Sequence, residues 1–369
     1  MPSRKSLDLR TGDLITVRSK EEIFATLDRK GELDALPFMP EMLQYCGGQF
    51  RVYKRADKTC DTIDNLGSRR MHDTVHVGAL RCDGSAHGGC EAGCLLFFKE
   101  DWLRRAEPST TAGSSRSPMD GVGASTEIDL RRACTENGAA VPGTTVIYRC
   151  QATRLKAASE PLRWWDPRQH VRDLRTRNAG PGQMLRGFAY AAYRSFMGMG
   201  RGYRVKVALF DRLQSLWGGI PFPWHVGTAE KTPREDLALQ TGDWVRVKPY
   251  TSILATIDQN NKNRGLWFDA EMVKYCGRTF RVESKVHRII HEKNGHMIEF
   301  KNPPVILENV FCCGELTTWR LFCPRAIPIY WRDVWLERVS GPDPNQAPMA
   351  CTKLMRELVD EQRRQAGLV

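Results

Sequence analysis

The chain has 369 residues, 41% of them apolar, with a formal net charge of +12 and twelve cysteines. This length and apolar content suit two or three packed domains and exclude a disordered or fibrous chain. No apolar leader follows Met1 and no run of about 18 apolar residues occurs, so a cytoplasmic protein off the membrane is expected. Its thiols should then be reduced, and used for burial, metal ligation or catalysis rather than for a disulfide framework.

In chain order, TGDLITV (11–17) is a turn followed by alternating apolar residues, the pattern of a half-buried strand. FATLD (24–28) carries β-branched residues into turn chemistry at RKGE. PEMLQYCGG (40–48) predicts one or two helical turns closed by Gly47, and QFRVYKR (49–55) resumes as strand. FFKEDWLRRA, with Trp102, ends the unit. EPSTTAGSSRSPMDGVGASTE (107–127) reads as a flexible linker. Asp166 and Pro167 start a helix, and GQMLRGFAYAAYRSFMG predicts an amphipathic one with Met184, Leu185, Phe188, Ala192 and Phe196 on one face. A shift of 230 positions then lays Leu7–Val52 over Leu237–Val282 without a gap, twenty of the forty-six positions being identical. The second unit closes on YWRDVWLERV, with Trp335, and the tail APMACTKLMRELVDEQRRQ predicts a last helix.

The expected fold is mainly β with helical insertions (α+β): two duplicated SH3-like small barrels joined by a linker and a basic helical segment. The boundaries are 1–105 for the first repeat with its cysteine cluster, 106–145 for the linker and 146–230 for the basic segment. The second repeat takes 231–340 and the helical tail 341–369.

The repeat sorts the cysteines. Cys46 and Cys276 match within YCG and are expected to be small buried groups. Cys60 aligns with Ile290, and Cys94, counted back from the tryptophan, with Ile327; Cys82 and Cys90 correspond loosely to Cys312 or Cys313 and to Cys323. Cys60, Cys82, Cys90 and Cys94 are therefore the metal ligands expected of the first repeat, with His87, Cys134 and Cys150 as second choices. Four thiolates suit an iron-sulfur cluster or a structural zinc. The wide, glycine-rich spacing favours the cluster. Cys312, Cys313 and Cys323 leave a second site open. Asp28 with Asp258 and Glu41 with Glu271, shared by both copies, read as structural capping groups.

CDGSAH (82–87) resembles the signature of the CDGSH-type iron-sulfur family, with Ala86 inserted before the histidine and no C-x-C pair upstream. Through Cys60–Thr62, Cys82–Cys94 and Arg320–Ile327 the chain also resembles a family of bacterial tandem-repeat, cysteine-containing proteins. That resemblance implies a bacterial accessory protein without specifying an activity.

Between Arg149 and Lys206 thirteen Lys and Arg face three acids. Trp164 and Trp165 precede Arg168, Arg172 and Arg175, which fall on one helical face; arginines so spaced can follow phosphates while exposed aromatics stack on bases. The bland alternative is a solvated helix that packs the tryptophans inward. No nucleotide-binding loop, nucleophile elbow or H-E-x-x-H motif occurs, and no catalytic residue is identifiable. The expected function is a metal-binding accessory protein, redox-active with an unspecified redox partner if the metal is an iron-sulfur cluster. The alternatives are a binder of nucleic acid or another anionic polymer through 149–206 with a structural metal, or a metal-dependent enzyme.

Overall fold

The computed structural model describes residues 6–64, 67–106, 126–136, 145–198, 202–216, 221–223, 225–317, 320–347 and 349–365. Residues 107–125 and 137–144 of the expected linker lie outside them.

Each repeat builds a five-stranded antiparallel sheet. In the first, the order across the sheet is Leu95–Lys99, Thr74–Arg81, Gln49–Arg55, Leu14–Val17 and Leu103–Arg105. The second follows the same order with Pro328–Trp331, Val305–Phe311, Thr279–Lys285, Trp244–Val247 and Leu336–Arg338. Register is shared too: Leu14 faces Arg51, and Trp244 faces Arg281. Alternation explains the inward sets, with Ile15, Val17, Val52, Val77 and Phe98 buried in one copy and Val245, Val247, Val282, Leu307 and Trp331 in the other. Trp102 and Trp335 plug equivalent ends, their indole N–H donating to Thr26 Oγ1 at 3.1 Å and Thr256 Oγ1 at 3.0 Å.

The expectation of a mainly β chain of SH3-like barrels is corrected on two counts. Both sheets are open and curled half-barrels, ending at different edge strands that do not pair with each other. Helices are also more than insertions: Pro181–Gly198, Tyr203–Leu216 and Lys353–Gln365 are long, so the fold is mixed α/β. Strand periodicity reports which face of each strand is buried. It carries no information on whether the two edges of a sheet meet.

Local chemistry sets the shorter elements. After the first strand comes the helix Lys20–Phe24, started by a capping box between Ser19 and Glu22, so FATLD enters its turn from a helix. Asp28 Oδ1 accepts from the Lys30 and Glu32 amides, and Asp258 does the same for Asn260 and Lys262, which confirms their capping role. PEMLQY and AEMVKY form 3₁₀ turns followed by Gly47 and Gly277 at φ +79° and +75°. Cys46 and Cys276 at their ends are half-buried.

In the middle segment, Pro167 precedes helix Arg168–Arg175 and Asp166 Oδ1 accepts its first amide, from Arg168, at 3.0 Å. The helix is anchored by Asp173, which pairs with buried Lys58 at 2.6 Å; Lys58 Nζ also donates to Leu321 O. The next helix does not bury the predicted face. Met184 and Ala191 pack on Leu321 and Phe322, whereas Leu185 is 72% exposed and Phe196 56%. The tail helix bridges the repeats: Met355 and Leu358 cluster with Tyr53 and Leu95 of the first and Phe311 of the second. Cys313 and Cys351 are joined as a disulfide, a departure from the all-thiol expectation. Among the described residues, no helix is long and apolar enough to cross a membrane.

Candidate metal centre

The loop that follows strand Thr74–Arg81 is pinned at its base, where the Cys82 amide donates to the Cys94 carbonyl at 2.8 Å. Its turn requires glycine at position 84: φ is +71°, and a Cβ there would meet the Cys90 backbone at 2.1 Å. The turn directs His87 inward, where it is buried. His87 Nε2 lies 3.4 Å from Cys82 Sγ, and Nδ1 lies 2.9 Å from Glu41 Oε1. Glu41, on the 3₁₀ turn Pro40–Tyr45, also accepts the Ala86 amide at 3.0 Å and so holds the loop. The Nδ1 contact lacks hydrogen-bond alignment, and Glu41 Oε2 is buried without a hydrogen-bond partner. Glu41, Cys82 and His87 thus offer an oxygen, a sulfur and a nitrogen within 4.8 Å of one another, a group able to coordinate a metal ion.

Electrostatics follow from burial. Desolvation alone would raise the Glu41 carboxyl, but the His87 ring and the Ala86 amide outweigh it and hold it below the usual range. Desolvation, reinforced by the Glu41 carboxylate, pushes the Cys82 thiol far up. Cys94 is pushed up to about 12, by burial first and by Glu292 second. Cys150 rises to about 11 through burial. Thiols in such surroundings ionise when a cation arrives to stabilise the thiolate.

Cys82 and His87 open onto a cavity of about 300 Å³ between the repeats. Cys90, Cys94 and Cys150 share its wall, and the second repeat contributes Ile290, His291, Glu292, Arg325 and Tyr330. The predicted ligands are therefore divided. Cys82, Cys90, Cys94, His87 and Cys150 line one cavity, while Cys60 sits apart from its lining, its amide donating to Cys323 Sγ at 3.2 Å. Cys134 lies in the first core and donates to Leu130 O at 3.3 Å. A second metal-competent group, Cys313, Glu315 and Cys351, contains the disulfide, which withdraws both sulfurs as thiolate ligands while it persists.

Trp164 and Trp165 are 60% and 59% exposed, so they do not pack inward. Arg163 lies over the Trp165 ring at 5.3 Å, Arg168 pairs with Asp166 and Arg175 with Asp8, and Arg172 borders a cleft with Arg70.

The second repeat supplies an internal control. Glu271 occupies the place of Glu41 and likewise holds its loop, accepting the Leu316 amide, which stands where Ala86 does. Cys312 stands where Cys82 does, its amide bonded to Ile327 O at 2.9 Å. His87, however, is replaced by Thr317, and Gln44 by Lys274, whose Nζ pairs with Glu271 at 3.0 Å. The copy without the histidine thus neutralises its buried carboxylate with its own lysine. In the first copy Gln44 is neutral, and its side-chain amide donates to the Glu41 carbonyl rather than to the carboxylate.

Sequence reasoning read Glu41 as a capping group and gave no role to Arg325 or Glu292. The signal for Glu41 was the Gln44/Lys274 difference one helical turn away from a shared acid. No protein-family model matches the chain, and no curated protein matches it.

Proposed function

We propose that this chain is a metal-binding protein whose first repeat holds a single zinc-class divalent ion through Cys82 Sγ and His87 Nε2, at the wall of the inter-repeat cavity. The observation that carries this reading is the contrast between Glu41 and Glu271: beside a cysteine in both repeats, Cys82 or Cys312, the same buried carboxylate meets a histidine in the first and a lysine in the second. The separation of 3.4 Å between Cys82 Sγ and His87 Nε2 suits adjacent vertices of a tetrahedral ion with bonds of about 2.3 and 2.0 Å. Glu41, behind the ring at Nδ1, stands where a carboxylate orients a metal-bound histidine. Cys82 and His87 both line the cavity, so an ion held between them would be open to a solute there. Zinc is favoured over an iron-sulfur cluster because the donor atoms within 4.8 Å of one another are a mixed nitrogen, sulfur and oxygen set, from His87, Cys82 and Glu41, rather than thiols alone.

The full chain should purify with about one equivalent of zinc and without absorbance near about 400 nm. Cys82→Ser with His87→Ala should abolish the metal, and Glu41→Gln should weaken it about 10- to 100-fold, measured by chelator competition. Gln44→Lys, which installs the second repeat's cation, should also weaken it. Absorbance near about 400 nm with stoichiometric iron would overturn the zinc assignment, and full metal retention in the double variant would remove the site.

A second reading rests on the exposed tryptophans. Trp164 and Trp165 beside Arg168, Arg172 and Arg175 suit a single-stranded nucleic acid, with stacking and phosphate contacts combined. Filter binding should show salt-sensitive retention of an oligonucleotide that Trp164→Ala with Trp165→Ala weakens at least about tenfold. Unchanged retention would discard the reading.

A further inference from the structure

The loops that cross between the repeats meet at two equivalent junctions. At one, the Cys60 amide donates to Cys323 Sγ at 3.2 Å. At the other, the Ile290 amide donates to Cys90 Sγ at 3.3 Å. Ile290 occupies the position of Cys60 at the offset of 230, and the hydrogen bonds from Cys82 to Cys94 and from Cys312 to Ile327 put Cys90 in register with Cys323. The contacts are the same, but only the first junction has sulfur on both sides. It also has Arg325 where its counterpart has Ala92.

Arg325 is buried and shaped around Cys60. Its Nη1 lies 3.9 Å from Cys60 Sγ, 3.3 Å from Cys60 O and 2.9 Å from Thr62 Oγ1, while Nη2 reaches Glu292 at 3.1 Å. Cys60 and Cys323 are 5% and 6% exposed, yet Thr62 and Arg325 both line the cavity, so a small solute entering it reaches the groups that touch Cys60. We propose that Cys60 and Cys323 form a redox-active dithiol that a hydroperoxide converts to a disulfide linking the two repeats. Hydrogen bonding from Cys323, with Arg325 beside it, moves the Cys60 thiol down, while its partner Cys323 is moved up. The Arg325 guanidinium, 3.9 Å from Cys60 Sγ, favours a thiolate there, which makes Cys60 the attacking sulfur and Cys323 the resolving one.

The chemistry closes with hydrogen peroxide as the oxidant. The Cys60 thiolate attacks one peroxide oxygen, the O–O bond breaks, and Cys60 becomes a sulfenic acid as hydroxide departs. That hydroxide takes the Cys323 proton and leaves as water. Cys323 sulfur then attacks Cys60 sulfur, the S–O bond breaks, and the second hydroxide leaves as water with the proton that Cys60 first released. Two thiols are oxidised by two electrons in total, and one peroxide is reduced to two waters.

Treating the full-length, metal-loaded protein with one equivalent of hydrogen peroxide should lower its mass by about 2 Da, and non-reducing peptide mapping should find Cys60 joined to Cys323. Cys60→Ile, which copies the other junction and so keeps a side chain already accommodated there, should abolish the cross-link. In Cys323→Ser, Cys60 should persist as a sulfenic acid trapped by dimedone. The proposal is overturned if Cys60 and Cys323 both remain alkylatable after oxidation, or if Cys60 cross-links elsewhere. Loss of bound metal in Cys60→Ile would make Cys60 a ligand and also overturn it, whereas failure of the Cys82–His87 site to bind zinc would leave it standing.

Discussion

Lys274→Met should cost the fold about 3–5 kcal/mol, because it leaves the Glu271 carboxylate buried with its counter-charge removed. Both side chains are almost fully enclosed, and Lys274 Nζ lies 3.0 Å from Glu271 and 3.4 Å from the less buried Glu315. Burial alone would pull the ammonium down; Glu271, followed by Tyr275 and Glu315, overcomes it, and the lysine is held above its ordinary range. The cost should be visible as a lower urea midpoint with an unchanged slope. Combining Lys274→Met with Glu271→Gln should recover most of it, since an amide still accepts the Leu316 amide while carrying no charge. A single variant within about 1 kcal/mol of the parent would show that Glu271 finds another cation or water. It would also remove the contrast on which the metal site of the first repeat rests.

His76→Ile should make the protein markedly more resistant to acid. His76 is fully buried in strand Thr74–Arg81, its Nδ1 2.9 Å from the Leu96 carbonyl and its ring tilted on Phe97, with Nε2 unpartnered. Burial drives the imidazole down to about 3, further than the Leu96 carbonyl can restore. Between pH about 6.5 and about 3 the unfolded chain therefore binds a proton here that the native chain does not. The native state's advantage is present above the unfolded value and is lost as pH falls through this window, by about 5 kcal/mol in all. The second repeat has Ile306 at the same register, so the replacement suits the sheet. At neutral pH the variant should lose about 1 kcal/mol with the Leu96 hydrogen bond. Coincident acid transitions for parent and variant would show that other groups govern acid unfolding.

These two tests use positions where the repeats disagree, and the same comparison marks how far the amino-acid sequence could be read. The strands at 14–17 and 49–55, the turns closed by Gly47 and Gly277 and the paired tryptophans were legible because local periodicity and turn chemistry determine them. The closure of the sheets was not, since it depends on which edges meet. The helix Pro181–Gly198 was placed correctly, but the face it buries is set by Leu321 and Phe322, distant in sequence. In the cysteine-rich loop, Cys82, His87 and the singular character of Cys60 are visible in the sequence, whereas the contact of Glu41 with His87 and that of Cys60 with Cys323 are not. Its neighbours Cys323 and Arg325 are more than 260 positions away, and only the fold brings them together.

The helix Lys353–Gln365 has a consequence for the order of events at the ribosome. It lies against the first repeat, with Glu361 3.5 Å from Arg51 and Gln362 over Gly78, although it is made only after the whole of the second repeat. At about 5–20 residues per second, the first sheet waits some tens of seconds for that cover after its own last strand has emerged. Until then Tyr53 and Leu95 face water, so nascent chains are most open to chaperones, or to one another, during synthesis of the second repeat.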